Sequence, residues 1–158
     1  MKHPVWLGID FGWRNPFGTV FGVPVRGGEQ WLIVAEYKQE LRRISEHGRK
    51  ILEINFLGGY GALAGGWADP SDPEGIDELS EVLGVRILPA PAIGVKAGHE
   101  IVERWFREGP YGPGVIIHPR CVELVKEIGF YDQHNPGGGD HHLLDGLRYL
   151  LVGWEGKR

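Results

Sequence analysis

The sequence predicts an α/β fold built on one mixed β-sheet. Three features carry that prediction. Apolar, β-branched runs joined by short turns fill residues 5–37, strand-like and helix-like segments then alternate to the end, and no repeat or linker-like stretch interrupts them. A chain of 158 residues suffices for one domain with a real core and not comfortably for two, so residues 1–158 are read as a single domain.

Residues 5–11 (VWLGIDF) and 17–25 (FGTVFGVPV) read as strands joined by a turn at Asn15-Pro16, and 31–37 (WLIVAEY) follows the Gly27-Gly28 turn. Such short connections imply an antiparallel meander. A helix is expected over about 40–55, with Leu41, Ile44, Ile51 and Leu52 on its apolar face and Arg42, Arg43, Arg49 and Lys50 elsewhere. The Gly-rich stretch LGGYGALAGGW leads to a short strand ending near Asp69. Asp72 then caps, and Pro73 opens, a helix through Leu83 that Gly84 stops. A strand at 85–88, a helix at 96–108 burying Ile101, Val102, Trp105 and Phe106, and a strand at 114–118 follow. A helix at 120–128, a Gly-rich loop at 130–139 and a last helix at 140–153 complete the chain. A meander followed by alternating strands and helices adds parallel strands to an antiparallel start, with helices on the flanks.

The 42% hydrophobic and 24% charged composition is that of a soluble globular protein. No apolar run approaches the ~20 residues of a membrane span, and the opening MKHPVWLG lacks a signal-peptide plan. The single cysteine, Cys121, excludes an internal disulfide and fits a reducing compartment. The formal net charge of −4 runs against binding nucleic acid by phosphate neutralisation alone. An acidic metal-binding cluster lowers net charge, so the expectation is a weak grip on DNA that relies on another domain or subunit.

Asp10, Asp69 and Asp145 each stand where a separate segment begins or ends regular structure. Separated carboxylates that converge are what a protein needs to hold hard divalent cations against a phosphodiester. Each has a plainer reading: Asp10 as a solvent-facing strand residue, Asp69 as an Asx-turn before Pro70, Asp145 as one polar position of an amphipathic helix. Gly8 and Gly12 flank Asp10 and would let a ligand approach the backbone. In DHHLLDGLRYLL, Leu143, Leu147 and Leu150 follow helical spacing, and Asp140 reads as the N-cap. His142 stands three residues and His141 four before Asp145, so either imidazole can sit over that carboxylate. Arg148, one turn later, can pair with Asp145 or reach a phosphate. A rival zinc site from His118, Cys121, His134, His141 and His142 lacks a second cysteine pair, and Cys121 beside Val122 and Val125 reads as a small buried hydrophobe.

Taken together, GIDFGWRNPFGTVFGV, AEYKQE, ADPSDPEGIDELSEVLGV, HPRCVELVKEIGFY and DHHLLDGLRYLL make the chain resemble the C-terminal nuclease domain of tailed-bacteriophage terminase large subunits. The match is collinear over nearly the whole chain, and the last segment is similar to the family's DHxxDAxRY pattern. His141 stands where the family has an aspartate, with Asp140 one position earlier, and Gly146 replaces the common alanine, an exchange that should lower helix propensity without touching the ligands.

The resemblance implies a ribonuclease H-like fold and an Mg²⁺- or Mn²⁺-dependent endonuclease. Such an enzyme cuts concatemeric double-stranded viral DNA during packaging with little sequence specificity. It implies two divalent ions, with Asp10 bridging them, Asp69 and Asp145 each holding one side, and His142 positioning water or tuning Asp145. Asp140 and His141 would support the site, and Lys96, Arg42, Arg43 and Arg148 would contact phosphates. The implied partners are an ATPase motor domain, the small terminase subunit and the portal, in the cytoplasm of an infected or lysogenic bacterium. The sequence holds no GxxxxGK[ST] phosphate loop, so the motor is expected to be absent from these residues. The alternatives are another ribonuclease H-like nuclease, such as a Holliday-junction resolvase, and a non-catalytic packaging module.

Overall fold

A computed structural model describes residues 3–12, 16–131 and 141–157. The elements run β1 (Val5–Asp10), β2 (Phe17–Val25), β3 (Gln30–Gln39), α1 (Ile44–Gly58), β4 (Leu63–Ala68), α2 (Pro73–Leu83) and β5 (Ile87–Pro89). Then come α3 (Val95–Phe106), the short strands β6 (Glu108–Gly109) and β7 (Gly112–Pro113), β8 (Val115–Ile117), α4 (Val122–Phe130) and α5 (His142–Lys157).

Six strands form one sheet in the order β5-β4-β1-β2-β3-β8. β1, β2 and β3 pair antiparallel, while β4 joins β1, β5 joins β4 and β8 joins β3 in parallel. The expected mixed sheet, meander first and parallel strands after, is therefore present, with helices on both faces. The β6–β7 ribbon is not legible in the sequence, being two residues per strand.

Alternation along β1 divides the core. Val5, Leu7 and Ile9 face α1 and α2, joining Ile51, Ile76, Leu79 and Leu83. Trp6, Gly8 and Asp10 take the opposite face, under α5. There Leu143, Leu147, Leu150 and Leu151 pack with Trp31, Ile33, Val102, Trp105 and Leu124. The far end of α5 is held by edge-on indoles: Trp154 meets Trp6, Trp31 and Trp67, and its Nε1 donates to the Gly28 carbonyl at 3.1 Å.

The α2 boundaries match the sequence reading, because their causes are local. The Asp72 side chain accepts from the Gly75 amide, Pro73 fills the first turn, and Gly84 adopts φ 69°. The first helix does not match. It begins at Ile44, not near residue 40, and Leu41 lies outside it at φ 53° and 94% exposed. Leu52 is exposed as well; the face that α1 buries is His47, Gly48 and Ile51.

Candidate active site

Asp10 ends β1 and Asp69 directly follows β4, its neighbour in the sheet; the Asp69 amide donates to the Ile9 carbonyl at 3.2 Å. Two carboxylates therefore stand at the carboxyl ends of adjacent parallel strands, a usual position for a ligand site in α/β sheets. Asp145 arrives from above, in the first turn of α5.

Glycine lets α5 come down so close. A Cβ built on Gly8 would stand 2.0 Å from the Gly146 carbonyl oxygen, and one on Gly18, the β2 partner of Asp10, would meet the His142 backbone at 2.9 Å. The sequence reading of Gly8 as room for a ligand is thus corrected: the space is taken by the backbone of α5. Gly146 has the matching role, since a Cβ there would lie 2.9 Å from the Gly8 carbonyl oxygen.

This descent sets His142 on Asp10. Its Nδ1 lies 2.9 Å from Asp10 Oδ2, both side chains largely buried, so the imidazole that helical spacing offered to Asp145 engages the strand carboxylate instead. Asp145 Oδ1 accepts from Arg148 at 3.3 Å, and Arg148 in turn lies against Tyr149, its guanidinium 4.6 Å from the ring centre. Arg148 Nε is buried without an acceptor among the described residues. Asp69 Oδ1 accepts from the Ser71 amide at 2.9 Å, so the expected Asx-turn is present alongside any further role.

Asp10 feels the other two acids. Burial pushes the Asp10 carboxyl above its ordinary value, His142 pulls it back, and the charges of Asp145 and Asp69 push it up again. Tyr149, a residue the sequence reading does not single out, is raised to about 12, by burial first and then, against Arg148, by Asp69, Asp10 and Asp145. Asp10 and Asp69 thus share one end of the sheet, and Asp145 is near enough to Asp10 for its charge to act there. Among the described residues no three His, Cys, Asp or Glu side chains are grouped closely enough to hold a metal ion, and each of the three acids meets a protein donor. Carboxylate oxygens are the donor type that suits a hard divalent cation, and a cation beside Asp10 would offset both its burial and the repulsion around it.

The other predicted residues surround this point unevenly. Arg42 and Arg43 are exposed and line a groove of about 430 Å³ with Phe11, Gly12 and Asp72, at the Asp10 end of the sheet. Lys96 is exposed in the first turn of α3, two residues before Gly98, against which Arg148 packs. His141 is buried and its ring meets Tyr131 edge-on at 5.6 Å, away from the role of sitting over Asp145; its carbonyl accepts from the Asp145 amide at 2.7 Å. Asp140 and His134 lie outside the described residues. Cys121 is buried with its thiol pushed up to about 11 by burial, and His118 Nδ1 accepts from Arg120, which agrees with a packed cysteine and not a zinc ligand.

No family model matches the sequence, and no curated protein matches it. Solved structures do. The chain superposes on the nuclease domain of the large terminase g2p of bacteriophage SPP1, solved with bound Mn, with a TM-score of 0.66 at 20% identity over 98% of this chain and 87% of that one. It superposes on the large terminase nuclease domain of P22 with a TM-score of 0.73 at 12% identity, over 98% and 86% of the two chains. The large terminase of a thermophilic bacteriophage gives 0.71 at 18% identity over 95% of this chain, which spans only 39% of that protein. The architecture of six strands with α5 laid over the β1–β2 pair is therefore the ribonuclease H-like fold of large-terminase nuclease domains.

Proposed function

We propose that this chain is a divalent-metal-dependent endonuclease that cuts double-stranded viral DNA during genome packaging, with little sequence specificity. One observation carries the reading: in a fold shared with terminase nuclease domains, Asp10 and Asp69 stand at the carboxyl ends of adjacent parallel strands, with Asp145 in the first turn of the helix laid over them. The three aspartates would hold two Mg²⁺ or Mn²⁺ ions. When bound, such ions lower the pKa of a water and shield the charge growing on the departing 3′-oxygen.

The chain's own residues supply the rest. His142 fixes the rotamer of Asp10 through Oδ2 and leaves Oδ1 for a ligand. Arg148 steadies Asp145, and Tyr149 keeps its proton at neutral pH. Arg42, Arg43 and Lys96 are exposed cations suited to the DNA backbone, which they would position without reading sequence. The net charge of −4 leaves the grip weak, consistent with an ATPase motor domain, a small subunit and a portal as partners in the cytoplasm of a bacterial host.

The test is supercoiled plasmid incubated with the purified protein in Mg²⁺, Mn²⁺ or EDTA, beside Asp10→Asn. Metal-dependent nicking and linearisation, reduced at least about 100-fold in the variant, is the expected result, since losing a group that stabilises transition-state charge has effects of this size. DNA left intact by folded wild type in every metal overturns the stand-alone nuclease and favours a packaging module without catalysis.

A further inference from the structure

Two of the first amides of the helix that carries His142 and Asp145 find their acceptor in another element. The first intrahelical bond runs from the Asp145 amide to the His141 carbonyl, which leaves the amides before it in need of acceptors. Glu127, from the middle of α4, takes two of them: its Oε1 accepts from the Leu143 and Leu144 amides, both at 2.9 Å. Its Oε2 accepts from Lys38 Nζ of β3 at 3.0 Å. Glu127 is only 5% exposed, so this is a buried carboxylate committed to a helix N-terminus and a counter-ion. α4 is seated in the same way, since Glu36 of β3 accepts from the Glu123 and Leu124 amides at 3.0 and 2.9 Å. Strand β3 thus fixes α4 through Glu36, and α4 with β3 fixes α5 through Glu127 and Lys38.

We infer that Glu127 is a positioning residue for the candidate metal site, setting the height and rotation of the first turn of α5 so that His142 meets Asp10 and Asp145 is presented above the sheet end. The inference rests on the nuclease reading above for its functional consequence, but its geometry does not. A negative group at a helix N-terminus is stabilised by the unpaired amides and the helix dipole. Because the bond is buried, removing it leaves the Leu143 and Leu144 amides without this acceptor. The register of α5 over the sheet is otherwise set by close glycine contacts, Gly18 under His142 and Gly8 under Gly146, and by the indoles around Trp154. The N-terminal turn, where the ligands are, has Glu127 as its polar anchor.

The experiment compares wild type, Glu127→Ala, Glu127→Gln and, as a destabilising change on the opposite sheet face, Ile51→Val. Thermal unfolding establishes the folded fraction, Mn²⁺ affinity is measured by calorimetry, plasmid cleavage is followed in Mn²⁺, and imidazole ¹⁵N shifts of His142 are recorded in the metal-free protein at one pH. In Glu127→Ala, Mn²⁺ affinity and cleavage per folded molecule are expected to fall about 10–100-fold, the usual range for groups that orient metal ligands. The His142 shifts are expected to move away from the wild-type values. Glu127→Gln keeps an acceptor oxygen and should recover part of each loss, while Ile51→Val leaves affinity and shifts unchanged. Wild-type affinity, cleavage and His142 shifts in folded Glu127→Ala overturn the inference. If wild type itself neither binds Mn²⁺ nor cuts, the nuclease reading fails separately, and unchanged His142 shifts in Glu127→Ala then overturn the positioning role on their own.

Discussion

On one face of the sheet α5 lies backbone against backbone, with Gly8 and Gly18 beneath it and Gly146 above. On the other face α1 and α2 stand off on full-sized side chains: Leu7, Ile9 and Phe21 from the sheet, Ile51, Ile76 and Leu79 from the helices. Side-chain packing of the second kind can absorb a lost methyl by small rearrangements, whereas contact between main chains has no rotamer to adjust. The face that carries His142 and Asp145 is the inflexible one. The difference teaches that the placement of the candidate site is set by missing side chains as much as by those present.

The strongest way to break this comparison is Gly8→Ala. The new methyl would meet the Gly146 carbonyl oxygen at 2.0 Å, and since the obstacle is main chain, α5 itself must move. We expect a loss of at least about 3 kcal/mol in urea unfolding, the upper range for overpacking. Gly146→Ala sharpens the same point. Alanine gains about 1 kcal/mol of helix propensity over glycine, yet its Cβ would crowd the Gly8 carbonyl oxygen at 2.9 Å. A net destabilisation of about 1 kcal/mol is expected; a more stable variant would mean that α5 is not seated on β1.

These glycines mark the boundary of what the sequence discloses. Asp72, Pro73 and Gly84 bound α2 by interactions within a few residues, so that helix is legible to the residue. The alternation of Val5, Leu7 and Ile9 likewise places Asp10 on the other face. Leu41 misleads because its apolar side chain continues a helical period, while its backbone is left-handed at φ 53°, between the end of β3 and the start of α1. His142 stands out in the sequence, but its spacing points along its own helix to Asp145, and only the descent of α5 onto Gly18 gives it to Asp10. Glu127 carries a signal that the sequence reading passes over. It lies three residues after Leu124, on the side of α4 that helical periodicity assigns to the core, and a carboxylate there requires a partner.

The second face supplies the next test, because its own polar group titrates. His47 of α1 stacks flat on Phe17 at 4.1 Å between ring centres, and its Nδ1 meets the Tyr37 hydroxyl at 2.8 Å. Burial lowers its pKa from 6.5 to about 4. The unfolded chain takes up this proton near pH 6.5 and the folded protein only near 4, so stability present above 6.5 is lost progressively as pH falls through that window. We expect on the order of 2 kcal/mol from this group after allowing for screening. His47→Gln should flatten the slope of stability against pH between these limits, and an unchanged slope would assign the acid sensitivity elsewhere.

The smallest effect returns to the site. Asp10 has a folded-state pKa above its ordinary 3.8, from burial first and from Asp145 and Asp69 after it, with His142 opposing. For a raised carboxyl the stabilising contribution is complete below pH 3.8 and disappears as pH rises through the folded value, so at neutral pH the ionised group weighs against the fold. Asp10→Asn removes that charge while its amide oxygen can still accept from His142. The metal-free variant should therefore melt at or slightly above the wild-type temperature at pH 7, and Mn²⁺ should raise the melting temperature of wild type more than that of the variant. A variant that melts well below wild type without metal would show that Asp10 is held chiefly by its contact with His142. In that case the sheet end would be a satisfied structural pair and not a charge cluster awaiting a cation.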